Sequence, residues 1–294
     1  MVAPEQVRID ASGMTFGALA WGDPEAPLAL LVHGYPDSAW TWRHLGPLLA
    51  ERGWRSVAPF TRGYSPSDLA PNDRYLVADQ AADIVAIHTA LGGDTRAVLV
   101  GHDWGAAATW AVTATEPSRF AHYVALAVPP TLALPKVFGS VKTLPVALRQ
   151  VRMSWYFIYN QLPASERGLD RIIPKLWRDW SPGYDARVDI AHVFDALSNH
   201  DRRRAALRYY RNNLQGGLKA TFTIKPGAPA LYLHGAQDGC MQAALAELYP
   251  EVFAPGTRVE IVPGVGHFLH LEEPILVGEL IADYLGKPGV GMSP

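Results

Sequence analysis

The chain has 294 residues, 49% of them apolar, and a formal charge of −2 from 26 basic and 28 acidic side chains. That length buries about three quarters of the unfolded surface, and the near-neutral balance offers no field for nucleic acid or anionic lipid, so neither is expected as a partner. The one cysteine, Cys240, excludes an internal disulfide, Met1 to Asp10 lacks the basic start and apolar run of a leader, and no apolar segment approaches the roughly 20 residues that span a bilayer. A soluble cytoplasmic protein, monomeric or homodimeric, is expected.

In chain order, Gln6 to Asp10 and Met14 to Trp21 predict antiparallel edge strands. Leu28 to Val32, Arg55 to Ala58, Ala97 to Val100 and Tyr123 to Val128 are short apolar runs separated by helix-length stretches, the pattern of a mostly parallel sheet with helices on both faces. After Pro129-Pro130 the pattern changes to Trp, Tyr and Arg at helical spacings, with no convincing buried strand until Pro226-Gly227-Ala228-Pro229. Residues 130–225 are therefore expected to form a helical cap over the carboxyl ends of the strands, where ligands of such sheets bind. The core, 1–129 and 226–294, resumes with strands Ala230 to Leu233 and Val259 to Val262 and a terminal helix, and the tail Gly286 to Pro294 is expected to fray.

The chemistry concentrates at the strand ends. Gly101-His102-Asp103-Trp104-Gly105 lies between the strand ending at Val100 and a helix expected over Ala106 to Thr115. This is a nucleophile elbow whose central residue is a carboxylate instead of a serine. A carboxylate is ionised near neutral pH and needs no base for attack on saturated carbon. Asp238, in the loop after the strand ending at Leu233, and His267, in Gly264-Val265-Gly266-His267-Phe268, complete the order nucleophile, acid, histidine. His33-Gly34-Tyr35-Pro36 follows the strand ending at Val32, so the backbone N–H groups of Tyr35 and Trp104 are the expected oxyanion donors.

These motifs resemble the epoxide hydrolase branch of the α/β-hydrolase superfamily from about Val7 to Leu285, through His33-Gly34-Tyr35-Pro36, Gly101-His102-Asp103-Trp104-Gly105, Asp238 and Gly266-His267-Phe268. Two segments of the expected cap, Ser154 to Pro163 and Leu207 to Asn212, are similar to the family's two lid-tyrosine motifs. The resemblance implies an α/β-hydrolase fold, a nucleophilic Asp103, His267 as general base oriented by Asp238, and Tyr156 and Tyr210 as the phenols that activate an epoxide oxygen. It implies a small apolar epoxide and water as substrates, a hydroxyalkyl ester on Asp103 as the intermediate, and no cofactor.

Each assignment has a plainer rival. Asp is a favoured helix N-cap, Asp238 precedes a glycine in a turn, and His270 lies three residues beyond His267; the three residues together, in order, favour catalysis. Tyr156 and Tyr159 lie about one helical turn apart and Tyr209 and Tyr210 are adjacent, so spacing alone leaves open which of each pair faces a pocket. Trp104, Trp155, Tyr159 and Phe268 are the expected pocket lining, although core packing also accounts for Trp155. Haloalkane dehalogenases share the Asp elbow and bind departing halide through indole N–H groups, which makes them the nearest alternative; a binding protein without turnover is the alternative from another class. His33 and His102 are expected to be structural hydrogen-bonders, Cys240 to lie near the site without reacting, and no metal is expected because no histidine spacing matches a metal motif.

Overall fold

The structure is a computed structural model that describes residues 2–214 and 223–288. Eight strands form one sheet in the order β1-β2-β4-β3-β5-β6-β7-β8: β1 Glu5–Ala11, β2 Met14–Trp21, β3 Leu28–Val32, β4 Arg55–Pro59, β5 Val98–His102, β6 His122–Leu126, β7 Leu231–Gly235 and β8 Arg258–Val262. The pairs β1/β2 and β2/β4 are antiparallel and the remaining pairs are parallel. Of the two strands expected at an edge, only β1 is at one, because Ala18 to Trp21 of β2 pair with Ser56 to Pro59 of β4. The central strands β3, β5 and β7 are buried along their whole length, which is why they read as unbroken apolar runs with no alternation.

Helices α1 Leu45–Glu51, α2 Val77–Ala90 and α3 Trp104–Thr115 connect the parallel strands. The step from β3 to β4 runs toward one edge and those from β4 to β5 and β5 to β6 toward the other. Right-handed crossovers then put α1 on one face and α2 with α3 on the opposite face, and α2 packs on α3 accordingly. Between β6 and β7 the described residues hold helices and no strand: α4 Ala133–Phe138, α5 Leu144–Met153, α6 Trp155–Gln161, α7 Leu169–Trp180, α8 Arg187–Ala196 and α9 His200–Asn212. β6 stops at Leu126, short of the expected Val128, because Ala127 turns the chain with φ of 68°. Beyond β7 come α10 Ala244–Glu247, α11 Leu269–Glu272 and α12 Pro274–Leu285, the last packing beside α1. Within the expected cap, residues 215–222 lie outside the described residues, as do 289–294 of the expected frayed tail.

Parallel pairing brings the carboxyl ends of the strands to one rim. Val32 lies opposite Gly101 and His102 opposite Leu126, so the loop after β3 flanks the turn after β5. Gly235 lies opposite Val262, which brings the loops after β7 and β8 together.

Candidate active site

Asp103 sits between the last residue of β5 and the first of α3 with φ of 54° and ψ of −116°. A non-glycine residue in this region stores strain of order 1–3 kcal/mol, which persists only where the surroundings force it. Here the glycines do so: a Cβ on Gly105 would lie 2.1 Å from the Val32 carbonyl oxygen, and one on Gly34 2.3 Å from Asp103 Oδ1. The tight turn carries the carboxylate away from the sheet, and the expected helix starts two residues early, at Trp104. Asp103 is buried, and its Oδ1 accepts the Tyr35 N–H at 2.8 Å.

Asp103 Oδ2 lies 3.6 Å from His267 Nε2, and His267 Nδ1 donates to Asp238 Oδ2 at 2.8 Å. Asp238 Oδ1 accepts the N–H groups of Cys240 and Met241 at 2.6 and 2.9 Å, so the acid is locked by its own loop. All three side chains are buried. Burial works to keep the His267 imidazole neutral, but Asp238 and Asp103 on its two sides outweigh it and raise its pKa to about 10. The Asp103 carboxyl moves the other way: burial favours its neutral form, and the facing imidazole, His102 and the Tyr35 N–H bring it below the ordinary carboxylate value. At neutral pH the resting pair is therefore carboxylate and imidazolium.

Above Asp103 lies a cavity of about 340 Å³ lined largely by apolar side chains, with Tyr156, Tyr210 and Cys240 among them. Tyr156 and Tyr210 are buried, and their rings meet edge to face at 5.7 Å. Burial raises both hydroxyls well above 10, so each stays protonated. Tyr210 packs against Tyr35 and Trp104 at 5.0 and 5.2 Å, whereas the Tyr156 hydroxyl lies 3.2 Å from Cys240 Sγ. The neighbouring phenols are occupied elsewhere: Tyr209 donates to the Arg62 carbonyl at 2.8 Å and Tyr159 to the Ser165 carbonyl at 3.0 Å.

Of the four residues expected to line the pocket, only Trp104 does. Trp155, one residue before the inward Tyr156, is rotated roughly 100° around α6 and lies under Lys175 Nζ at 5.2 Å. Tyr159 is turned toward the Ser165 loop by its hydrogen bond. Phe268 is wholly buried, stacked on Trp177 at 3.5 Å between centroids and edge-on to His267 at 5.1 Å. It braces the imidazole from behind.

His33 and His102 are held neutral by burial, at about 4 and about 3. His33 Nε2 accepts the Thr61 N–H at 3.0 Å, and His102 Nε2 donates to the His267 carbonyl at 3.0 Å. Cys240, raised by burial well above 9, is a neutral thiol. His270 pairs with Thr41 Oγ1 at 2.6 Å. Among the described residues, Asp37 with His102 and His270, and Asp103 with Cys240 and His267, are the clusters whose donor atoms are close enough to share a cation, within 4.8 Å. A cation would have to displace protons from both, since burial pushes Asp37 up to about 8 and His267 is imidazolium.

Supporting groups came from positions with no local signature. The Trp180 carbonyl, at the end of α7, accepts the N–H groups of both Gly239 and His267, at 3.1 and 3.0 Å. Glu272 accepts Ser181 Oγ–H at 2.6 Å and the Gly266 N–H at 2.8 Å. Gln150 of α5 donates to the Cys240 carbonyl at 2.9 Å and accepts the Gln242 N–H at 3.1 Å.

The family described as alpha/beta hydrolase fold matches residues 27–274. Epoxide hydrolase A of Mycobacterium tuberculosis is 28% identical over 97% of this chain and 98% of its own length. Epoxide hydrolase 3 of Xenopus tropicalis is 31% identical over 95% and 77%. Among solved structures, epoxide hydrolase A of Mycobacterium thermoresistibile superposes with a TM-score of 0.77 at 24% identity, over 96% of this chain and 98% of that one.

Proposed function

We propose that this chain, which belongs to the α/β-hydrolase fold family and to its epoxide hydrolase branch, opens small apolar epoxides to vicinal diols through a hydroxyalkyl ester on Asp103. The observation that carries the reading is the resting carboxylate: Oδ1 tied to the Tyr35 N–H, Oδ2 opposite an imidazolium, and two protonated phenols in the cavity above. With Oδ1 held, Oδ2 is the attacking oxygen. The epoxide oxygen lies toward Tyr156 and Tyr210, which donate hydrogen bonds to it and supply a proton as the C–O bond breaks. Helices α4 to α9 act as the cap that excludes bulk water during this step.

Alkylation also prepares the second step. It neutralises Asp103, leaving Asp238 as the only carboxylate paired with His267, so the imidazole pKa falls and the ring's proton restores the phenol that protonated the alkoxide. Neutral His267 then deprotonates a water that attacks the ester carbonyl, and the N–H groups of Tyr35 and Trp104 hold the oxyanion, the latter at the positive end of α3. The ester C–O bond breaks, the departing alkoxide takes the proton of the re-formed Asp103 carboxyl, and the diol leaves with Asp103 again a carboxylate and His267 an imidazolium.

Single turnover with styrene oxide in labelled water, enzyme in excess, tests this. The label should appear in Asp103, with a former carboxylate oxygen in the diol. Label in the diol alone would mean direct attack of water and would remove the ester. Chloroalkanes assayed beside epoxides separate the dehalogenase alternative by halide release.

A further inference from the structure

The whole-chain charge of −2 conceals a local asymmetry. Between Glu116 and Glu166 the sequence has five basic residues and no acidic one. The cap helices in this stretch turn apolar side chains outward: Phe138, Val141, Leu144, Leu148, Val151 and Ile158 are 50–88% exposed. On α5 the sides are inverted relative to an ordinary surface helix, with Ala147 and Gln150 buried and Leu144, Leu148 and Val151 facing out. Lys142, Arg149 and Arg152 are exposed among them, without an ion-pair partner among the described residues. Phe138, Val151 and Ile158 also line the cavity, so its mouth opens within the patch.

We propose that this face docks on an anionic lipid surface and draws its apolar substrates from the bilayer. An apolar stripe flanked by Lys and Arg is the composition that lies in a headgroup interface, and unpaired basic residues there are attracted to anionic lipid. A second copy fits less well, since a two-fold contact would set Lys142, Arg149 and Arg152 against their own copies, and the carboxylate beside the patch, Glu251, is already paired with Lys136. Neither strand nor helix needs to insert: the described residues hold no helix long and apolar enough to cross a membrane, and surface docking requires none. The proposal departs from the expectation drawn from net charge, which averages over faces. Its substrate half rests on the epoxide reading.

Flotation of the full chain with phosphatidylcholine vesicles, with and without phosphatidylglycerol, tests the docking. The protein should float with the anionic vesicles, much less with neutral ones, and salt should release it. Arg149→Gln with Arg152→Gln should weaken binding about thirtyfold, and Val141→Asp with Leu148→Asp should abolish it. All four substitutions lie off the cavity, so both variants should open dissolved styrene oxide at the wild-type rate, which also shows that they fold. Wild type that opens styrene oxide yet does not float with anionic vesicles overturns the docking proposal. So does light scattering that finds a dimer which Leu148→Asp splits. Vesicle binding without epoxide opening sinks the catalytic reading and leaves the docking standing.

Discussion

Asp103→Asn keeps the shape of the nucleophile and removes its charge, imitating what ester formation does. The rise of His267 from 6.5 to about 10 corresponds to about 5 kcal/mol in favour of imidazolium, supplied by two carboxylates against burial. Asp103 Oδ2 is 3.6 Å from Nε2. At that separation a unit charge contributes about 5 kcal/mol at an effective dielectric of about 20, and about 1 kcal/mol if the site behaves as bulk water. The variant should therefore lower the His267 pKa by roughly one to three pH units, read from the ring proton in a nuclear magnetic resonance titration, with intact mass confirming that the amide persists. The stability of the two proteins should diverge in the same window. Because the folded-state pKa is raised, the imidazolium stabilises the wild type fully below about 6.5, and that contribution is lost as pH rises to about 10. Melting temperature should fall over this range in the wild type and stop falling earlier in the variant. If the variant's His267 titrates within half a unit of the wild type, the charge coupling that generates the base is wrong.

His267→Ala should still alkylate but not turn over, since ionised Asp103 needs no base for its attack; intact mass should show protein plus one substrate, and binding without an adduct would contradict the division of labour. Tyr156→Phe and Tyr210→Phe should each slow alkylation by roughly thirty- to a thousandfold, the loss of one hydrogen bond to developing charge. Tyr159→Phe and Tyr209→Phe, whose hydroxyls bond to the Ser165 and Arg62 carbonyls, should leave alkylation within about threefold and cost about 1 kcal/mol of stability, measured by denaturant unfolding. Gly105→Ala should yield little soluble protein, because its Cβ would press against backbone that has no room to yield; normal expression and activity would contradict the close approach of α3 and β3.

The sequence was most informative where one residue's identity carries one requirement. The buried parallel strands read as apolar runs, and the elbow read from two glycines and a carboxylate. The N-terminal pair read as antiparallel, but nothing local shows that β2 is flanked on its other side by β4, a pairing between residues far apart in the chain. The pocket lining was harder because it depends on side-chain direction. Tyr156 and Tyr159 share a short helix, and only the tertiary hydrogen bond to Ser165 separates them. Trp180 contributes through its carbonyl oxygen, an atom every residue has, so no pattern of residue types could have revealed it.

The helices between β6 and β7, the proposed cap, are attached in different ways at their two ends, and this bears on how substrate would enter. At the α7 end, one carbonyl holds the loops of both Asp238 and His267, Trp177 Nε1 donates to the Pro36 carbonyl at 2.9 Å, and Glu272 fastens Ser181. Movement there would displace the imidazole from its partners. At the α4 to α6 end, Gln150 is fastened to the Asp238 loop, but Phe138, Leu148, Val151 and Ile158 are at least half exposed among the described residues. The α7 end holds Asp103, Asp238 and His267 in register, and the end with more exposed apolar surface is expected to open locally at lower cost. On the proposed reading, substrate that enters between Phe138, Val151 and Ile158 would leave the Asp103–His267–Asp238 geometry, with its distances of 3.6 and 2.8 Å, undisturbed.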